Sequence, residues 1–351
     1  MRVSAPGRIN LIGEHVDYNG GSVLPICTPQ RTHVELRPRA DARVRAFSVE
    51  RGEAEYSLGR EVKLGGWIDY VQGVTQVLRE RGDTGVGFEV WIQSDVPEGA
   101  GLSSSAALEV AMLRGLRELW KLKFTDVELA LIAQKAENSF VGANVGIMDQ
   151  MASSLGNEKT AILLDTVTLA YRQVSIPVGV SLVVIDSGIK HDLVTGDYNK
   201  RRKECEAAAA ALGVKALCSL SSEDLPRVVR LDALLARRAR HAITENERVH
   251  MAVRAIESGD VVELGGLING SHDSLRDDFE VSLPAIDRLV EIARGMPDVL
   301  GARLTGGGFG GSVLVLTLST NPLEQGREIA ARYASATQGQ PRVVVPLSAE
   351  V

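Results

Sequence analysis

The chain has little cysteine, no basic cluster and no long apolar run. Its three cysteines, Cys27, Cys205 and Cys218, lie far apart and form no CxxC pair, which argues against a disulfide framework or a zinc knuckle. A net charge of -6 without a Lys/Arg-rich run argues against a nucleic-acid partner. No apolar stretch reaches transmembrane length, and the first residues lack an apolar signal segment. We therefore expect a soluble, cytoplasmic protein with no membrane partner.

The 351 residues exceed the usual size of one domain and mix strand and helix patterns without a regular β–α–β order. That mixture favours an α+β fold over a doubly wound sheet, and we divide the chain into domains 1–165 and 166–351. Thr125 and Glu128 predict a capped helix that runs toward Phe140. Alternation and apolar runs predict strands at 32–38, 43–49, 87–94, 161–165, 181–186, 300–304, 312–318 and 342–346. Helices are expected after 107, at 196–212, across 222–295 and around 323–334.

A glycine-serine loop, Gly99-Ala-Gly-Leu-Ser-Ser-Ser-Ala-Ala107, leads directly into an apolar-periodic helix. Glycines let a backbone approach a ligand closely, and a helix start offers unpaired N–H groups to an anion. The alternative is an ordinary turn with a serine N-cap, which needs only one serine. Two glycines and three serines exceed that need, so the loop favours phosphate binding. No GxxxxGK[ST] motif and no protein-kinase signature is present, which points to another kinase lineage.

A second glycine cluster, residues 306–311, formally satisfies the dinucleotide motif GxGxxG. That motif needs a following helix and an acidic residue about twenty positions on. A β-rich run follows instead, and position 331 is Ala. We therefore expect a glycine-rich hairpin, either a plain one or one whose bare backbone packs against the phosphate site.

Polar and charged side chains crowd a short glycine-punctuated segment near the start of the chain. Arg8, Glu14, His15, Asp17 and Asn19 lie within twelve residues. Carboxylates accept hydrogen bonds from sugar hydroxyls, and Arg or His donates them. The segment therefore suits a polyhydroxyl ligand, and a solvated loop with local salt bridges is the alternative.

Asp149 lies in a mostly apolar run, so we expect it to be partly buried and to need a partner. Arg8 is the candidate, because an arginine would lower the pKa of Asp149 and keep it ionised. An ionised Asp beside a sugar hydroxyl can orient it and accept its proton, while Glu137 could help the serines hold Mg²⁺. A structural ion pair is the alternative for Asp149. For Asn138, His191, Tyr198 and His272 the default is ordinary packing.

Together these segments resemble one family. Residues 8–21, Arg-Ile-Asn-Leu-Ile-Gly-Glu-His-Val-Asp-Tyr-Asn-Gly-Gly, resemble the signature of the galactokinases. Residues 101–107 and 303–311 resemble the second and third motifs of the GHMP kinases, the wider superfamily. Weaker matches at 146–150, 186–191, 198–202 and 274–281 extend the resemblance over nearly the whole chain.

The resemblance implies two α+β domains of the GHMP kinase fold, the first carrying the sugar motif and phosphate loop, with the active site in the cleft between them. It implies transfer of the ATP γ-phosphate to the C1 hydroxyl of D-galactose, with Mg²⁺, in galactose metabolism. Asp149 matches the base that orients the hydroxyl, and Arg8 matches its partner. Sugar contacts match Glu14, His15, Asp17, Gly146 and Tyr198; nucleotide contacts match Trp67, Tyr70, Gly99, Gly101, Leu102, Ser103, Ser104 and Ser105; the magnesium side matches Ser105 and Glu137.

Two positions depart from the family pattern, with Val16 where the family usually has Thr and Val145 where it usually has Cys. Both bear on sugar choice and affinity, because the catalytic pair is unchanged. The alternatives are another sugar-1-kinase, acting on N-acetylgalactosamine, arabinose or glucuronic acid, or a catalytically silent sugar and ATP sensor. The oligomeric state stays open, with a monomer as one option.

Overall fold

The structure is a computed structural model that describes residues 1–189, 194–337 and 339–348. His191 lies outside the described residues. Contacts group the chain into two compact units, of which the first comprises Met1–Arg8, Cys27–Glu98 and Leu102–Gly156. The second comprises Ile9–Ile26, Gly99–Gly101 and Asn157–Val351. This grouping differs from the sequence-based division at residue 165, because two early segments group with the second half of the chain. The division into domains 1–165 and 166–351 stays a prediction.

Twelve strands and ten α-helices form within the described residues, numbered here in chain order. The strands are β1 Arg2–Asn10, β2 Ser22–Val23, β3 Pro25–Pro38, β4 Arg43–Ser48, β5 Gly52–Ser57, β6 Phe88–Ser94, β7 Thr160–Asp165, β8 Tyr171–Ser175, β9 Ser181–Asp186, β10 Val299–Thr305, β11 Ser312–Thr317 and β12 Arg342–Ser348. The helices are α1 Ile68–Glu80, α2 Ser104–Leu119, α3 Asp126–Ala136, α4 Met148–Leu155, α5 Val194–Leu212, α6 Leu225–Val228, α7 Ala233–Ser258, α8 Val261–Asp277, α9 Pro284–Arg294 and α10 Pro322–Thr337.

The first unit contains a five-stranded sheet that shares one apolar core with its helices. The strand order is β1-β3-β6-β4-β5, in which β4 and β6 run parallel and β3 and β6 run antiparallel. Val34 and Leu36 of β3 stand opposite Ile92 and Val90 of β6, and all four are buried together with apolar faces of α1, α2 and α3. The apolar positions of the period-two alternation in β3 and β6 are therefore the ones that the sheet buries against the helices.

The second unit contains a four-stranded antiparallel sheet of order β10-β11-β9-β12 and a three-stranded sheet of order β2-β7-β8. Every residue of β9 and of β11 is buried. Their apolar side chains share a core with residues of α5, α7, α9 and α10, among them Tyr333, and with Phe279 from the segment between α8 and α9. This continuous burial explains why both strands appear in the sequence as unbroken apolar runs rather than as alternating patterns.

Most elements expected from the sequence form. The capping box of Thr125 and Glu128 opens α3, and the 306–311 cluster connects the antiparallel strands β10 and β11. The dinucleotide motif therefore lacks its helix. The sequence patterns did not predict β1, β2, β5, β8, α1, α4 or a π-helical turn at Glu137–Val141 that continues α3. Among the described residues, no helix is both long enough and apolar enough to span a membrane.

Candidate active site

Arg8 and Asp149 form an ion pair inside the first unit. Arg8 lies on β1 and is buried, and Asp149 lies in the first turn of α4. The Arg8 Nε donates to Asp149 Oδ1 at 2.8 Å, and a terminal guanidinium nitrogen lies 2.7 Å from the same oxygen. The Asp149 side chain keeps 22% of its surface exposed, so this carboxylate is accessible from one side. The expected partnership of these two residues is present.

Ser103 connects the glycine-serine loop to Asp149. It occupies the N-cap position of α2 in a left-handed conformation, with φ 59° and ψ 50°, and its side chain does not cap the helix. Its hydroxyl donates instead to Asp149 Oδ2. The interpretation of this serine as an ordinary cap is therefore wrong. The first turn of α2 contains no acidic residue, so its N–H groups and the helix dipole suit an anion.

The glycines of the loop are needed for shape. Gly99 and Gly101 have φ of 74° and 75°, a region that favours glycine. Within the second unit, a Cβ on Gly101 would lie 3.2 Å from the Thr305 carbonyl oxygen. The Ser312 hydroxyl donates to the Ala100 carbonyl at 2.6 Å. A Cβ on Gly306 would come within 3.1 Å of the Gly101 Cα, so the bare backbone of the 306–311 hairpin packs against Gly101. That this contact belongs to a phosphate site stays a prediction.

A cluster of buried carboxyls lies beside Asp149 in the first unit. Burial, followed by the Asp149 carboxylate, raises the pKa of Glu137 to about 7. Burial and then Glu137 raise the pKa of the fully buried Glu109 well above its usual range. Gln150 donates to Glu137 Oε2 at 2.7 Å, and Ser105 also contacts Glu137. Negative charge on these neighbouring buried carboxyls is therefore costly, and a bound cation would favour their ionised forms.

The donor set fits Mg²⁺ by its chemistry. Ser105 and Glu137 present hard oxygens, and Mg²⁺ typically takes one or two carboxylates, water and substrate phosphates rather than a full protein cage. The described part of the chain holds no group of three or more His, Cys, Asp or Glu side chains arranged for a metal ion.

A cavity of about 460 Å³ in the first unit brings together several residues expected to bind the nucleotide. Trp67 and Tyr70, at the start of α1, line it with Ser104 and Ser105 at the start of α2. Ile92 and Leu108 add apolar surface. The size and the mixed lining are typical of a small-molecule pocket. An aromatic end and a serine-bearing helix start in one cavity suit a base at one end and phosphates at the other.

Asp69 shapes the loop that precedes Trp67, and no motif in the sequence pointed to this residue. Its buried carboxylate accepts from the Leu64 N–H at 2.9 Å and from the Gly65 N–H at 2.7 Å. Gln72 adds two hydrogen bonds to the Val62 backbone. The cavity wall at 65–67 is therefore fixed by polar side chains one and two turns into α1.

In the second unit, Glu14 is buried in a dense hydrogen-bond network. Its Oε1 accepts from Arg303 at 3.1 Å, from the Thr305 hydroxyl at 3.0 Å and from the Gly306 N–H at 2.8 Å. Its Oε2 accepts from Asn10 at 3.2 Å. Glu14 thus joins the signature segment to the 306–311 hairpin.

His15 has an unusual backbone and an aromatic surrounding. Its φ is 62°, and its ring lies near Tyr18, Tyr198 and Phe279, with ring centroids 5.9, 5.5 and 4.7 Å away. Nδ1 shares a hydrogen bond of 2.9 Å with the Tyr18 hydroxyl. Burial lowers the pKa of His15 to about 3, so the imidazole is neutral at pH 7. Asp17 and Tyr198 are half-buried.

Asn138 has a structural task that the sequence did not reveal. Its side chain accepts from the Val145 N–H at 2.7 Å and donates to the Val145 carbonyl at 3.1 Å. These bonds fix the segment that leads through the buried Gly146 to Asp149. The Val16 side chain is completely buried. His272 accepts from the Leu304 N–H, in line with its default as a packing residue.

Three family models match the sequence. The galactokinase galactose-binding signature matches residues 1–38, the N-terminal domain of the GHMP kinases matches residues 69–157, and their C-terminal domain matches residues 252–336. The α+β GHMP kinase fold inferred from the sequence is thereby confirmed.

Three similar proteins show to which family within the GHMP kinases the chain belongs. A galactokinase of Actinobacillus pleuropneumoniae is 44% identical over 344 residues, covering 95% of this chain and 90% of the relative. One of Roseiflexus sp. (strain RS-1) is 44% identical over 343 residues, covering 95% and 88%. The crystal structure of Lactococcus lactis galactokinase complexed with galactose superposes with a TM-score of 0.95 at 35% identity, covering 99% and 93%. The chain belongs to the galactokinase family of the GHMP kinases. This membership confirms the predicted enzyme class, an ATP-dependent sugar kinase.

Proposed function

We propose that the chain transfers the γ-phosphate of ATP to the C1 hydroxyl of D-galactose. The observation that carries this proposal is the Asp149 carboxylate, which accepts from Arg8 on one oxygen and from Ser103 of the glycine-serine loop on the other. A carboxylate held in this way beside a phosphate loop is suited to orient an acceptor hydroxyl in line with a phosphoryl group. Phosphoryl transfer depends mainly on such positioning and on charge stabilisation.

In the proposed mechanism, Asp149 accepts a hydrogen bond from the C1 hydroxyl and then takes its proton. The hydroxyl oxygen attacks the γ-phosphorus, and ADP leaves with the bridging oxygen. Arg8 stays charged, orients Asp149 and offsets the developing negative charge. A carboxylate paired with an arginine is a weak base, but a loose transition state does not require early deprotonation of the nucleophile.

ATP is proposed to place its adenine near Trp67 and Tyr70, because both line the 460 Å³ cavity that Ser104 and Ser105 also line. The phosphates are assigned to the loop and to the first amides of α2. Ser105 and Glu137 would hold Mg²⁺, whose positive charge would stabilise the negative charge of the phosphate oxygens. The proposed phosphate contacts are Gly99, Gly101, Leu102, Ser103, Ser104 and Ser105.

The sugar is proposed to contact the signature segment. His15 and Asp17 offer a neutral imidazole and a half-buried carboxylate, and Tyr198 adds a ring close to His15. Gly146 and Glu14 complete the set, although Glu14 already accepts four hydrogen bonds from protein groups. The enzyme is proposed to act in the cytoplasm on free sugar and ATP.

A panel of sugars with coupled detection of ADP tests the substrate. We expect D-galactose to give the highest kcat/KM, above N-acetylgalactosamine, arabinose and glucuronic acid. Strong turnover with another sugar and poor turnover with galactose would reject galactose as the substrate. The protein would still be a sugar kinase, but one that acts on a different sugar. No sugar-dependent turnover at all would favour a sensor.

A further inference from the structure

The signature turn Gly13–His15, which is proposed to bind the sugar, is held through its backbone by one face of α7. Glu245 Oε1 accepts from the Gly13 N–H at 3.0 Å, and His241 Nε2 lies 3.1 Å from the Glu14 carbonyl oxygen. Residues 241 and 245 are four positions apart and therefore lie on the same face of a helix. A Cβ on Gly13 would come within 2.9 Å of Val249, one further turn along that face. The turn and the helix thus fit each other closely.

Both side chains on α7 are completely buried and held by further partners. Glu245 also accepts from the Ser271 hydroxyl at 2.6 Å and from Arg248 Nε at 2.8 Å. Burial opposes the charge of Glu245, but Arg248, His241 and Arg303 outweigh it and lower the pKa of Glu245 to about 2. Glu245 is therefore a fixed anion. An anion accepts a stronger hydrogen bond from a backbone N–H than a neutral group does.

The tautomer of His241 follows from its partners. A carbonyl oxygen only accepts, so Nε2 must carry the proton that it donates to Glu14, and Nδ1 must accept from the Ser274 hydroxyl at 2.9 Å. Burial lowers the pKa of His241 to about 4, so the ring is neutral at pH 7. The same ring lies 4.4 Å from the Phe279 ring, which lies 4.7 Å from the ring of His15. His241 thus supports the backbone of the turn directly, and it reaches the side chain of His15 only through the ring of Phe279.

The turn needs such support because its conformation is unfavourable. Gly13 has φ of 103° and His15 has φ of 62°, and a non-glycine residue in this region costs free energy that its surroundings must offset. We propose that His241 and Glu245 are positioning residues that hold the turn Gly13–His15 in its strained shape and thereby set the affinity for the sugar. Neither residue falls within the segments that the family models match, which end at 157 and resume at 252. This inference rests on the proposed function of the turn.

The experiment compares loss and retention of each hydrogen bond. Glu245→Ala removes the acceptor for Gly13, and Glu245→Gln keeps an acceptor oxygen there. His241→Leu removes the donor to Glu14, and His241→Gln keeps an amide N–H at nearly the same reach. We expect the Ala and Leu variants to raise the sugar KM by about tenfold with the ATP KM little changed, and the two Gln variants to restore most of the affinity. Sugar binding without ATP, measured by calorimetry, should weaken in parallel.

Two controls separate positioning from general stability. Glu247→Ala changes a half-buried residue of the same helix, which bonds Ser222, and should leave both KM values unchanged. Arg294→Ala removes bonds from α9 to the Asn269 and Ala302 carbonyls in the same unit and should lower the Tm without raising the sugar KM. If Arg294→Ala raises the sugar KM as much at an equal loss of Tm, the positioning role is rejected.

An unchanged sugar KM in Glu245→Ala or in His241→Leu also overturns the inference. If Glu245→Ala does not fold, the His241 pair decides the outcome alone, because Leu and Gln at this position differ mainly in the donor. All variants are measured with the sugar that the unaltered enzyme uses best. An unaltered enzyme that turns over no sugar therefore rejects the proposed function, whereas a working enzyme with insensitive variants rejects only this inference.

Discussion

Ser103 and Asp149 lie 46 positions apart in the sequence, and the Ser103 hydroxyl donates a hydrogen bond to the Asp149 carboxylate. The same Ser103 stands at the start of α2, where the glycine-serine loop ends. One side chain therefore couples the loop proposed to hold the phosphates to the group proposed to take the proton.

Removal of this hydroxyl should lower turnover more than it lowers sugar binding. Ser103→Ala and Ser103→Gly both lose the donor, and we expect kcat to fall about tenfold to a hundredfold, as for a hydrogen bond to a charged group. Only Gly also relieves the left-handed backbone, so it should be the more stable variant. Ser139→Ala, which removes an exposed hydroxyl bonded to the Lys135 carbonyl, is the control. A normal kcat in both Ser103 variants would show that the bond has no part in turnover.

Replacement of Asp149 by Asn keeps the size of the side chain and removes its charge. We expect kcat to fall by about 10²–10⁴ because the acceptor for the proton is lost. Sugar affinity, measured by calorimetry, should stay close to that of the unaltered enzyme, since the proposed sugar contacts lie mainly elsewhere. Asp83→Asn, at a surface ion pair with Arg81, serves as the matched control. Near-normal turnover of Asp149→Asn would remove Asp149 from the mechanism.

The sequence revealed what depends on neighbours in the chain. The capping box of Thr125 and Glu128 is local, and the alternation in β3 records a single buried face. Apart from the pair of Arg8 and Asp149, contacts over long separations gave no such signal. Glu245 lies 232 positions from Gly13, and only the folded chain brings them together. The grouping of Ile9–Ile26 with the second unit likewise depends on tertiary contacts, which explains why a boundary at 165 was the natural sequence-based choice.

In the candidate site, too, some residues could be predicted from the sequence and others could not. Residue types in motifs pointed to Arg8, Asp149 and the serines as candidates, because the expected chemistry calls for such side chains. Residues that shape the backbone around them were missed, since Asp69 in a helix start and Asn138 near a helix end have many ordinary roles. Their importance comes from the particular N–H and C=O groups that they bind.

Asp69 should affect ATP and not the sugar. Asp69→Ala releases the N–H groups of Leu64 and Gly65, and the loop before Trp67 loses its fixed shape. We expect the ATP KM to rise about tenfold while the sugar KM stays unchanged. Gln76→Ala, which alters a half-buried residue of the same helix that bonds Glu80, should change neither value. Equal increases in both KM values would indicate general damage to the enzyme rather than a local effect on the nucleotide cavity.

Val16→Thr should act on stability rather than on sugar choice. Val16 has no exposed surface, so the family's usual threonine would place a hydroxyl in this core. Without a good partner, a buried hydroxyl costs about 1–3 kcal/mol of unfolding free energy. We expect a lower Tm and an unchanged order of preference in the sugar panel. Val178→Thr, at an exposed position, should keep the Tm. A changed sugar preference at constant Tm would restore Val16 as a specificity residue.

Acid should destabilise the enzyme through its buried histidines, and His272 provides a test outside the proposed site. Burial, followed by Arg294, lowers the pKa of His272 from 6.5 to about 4. Between these values the unfolded chain binds a proton that the folded chain does not, so unfolding becomes easier as the pH falls. The stability is complete above pH 6.5 and decreases toward pH 4, by at most about 1.4 kcal/mol per pH unit for one group.

His272→Asn keeps an acceptor for the Leu304 N–H and removes the titrating group. Unfolding free energies from urea titrations at pH 7 and pH 4.5 should therefore differ less in this variant than in the unaltered enzyme. His15 and His241 remain buried and neutral, so part of the acid effect should persist. Ser258→Ala, a substitution without a titrating group at the end of α7, should keep the original pH dependence. If His272→Asn and the unaltered enzyme lose equal unfolding free energy between pH 7 and pH 4.5, His272 does not contribute to the acid effect. It would then bind its proton equally well in the folded and the unfolded chain.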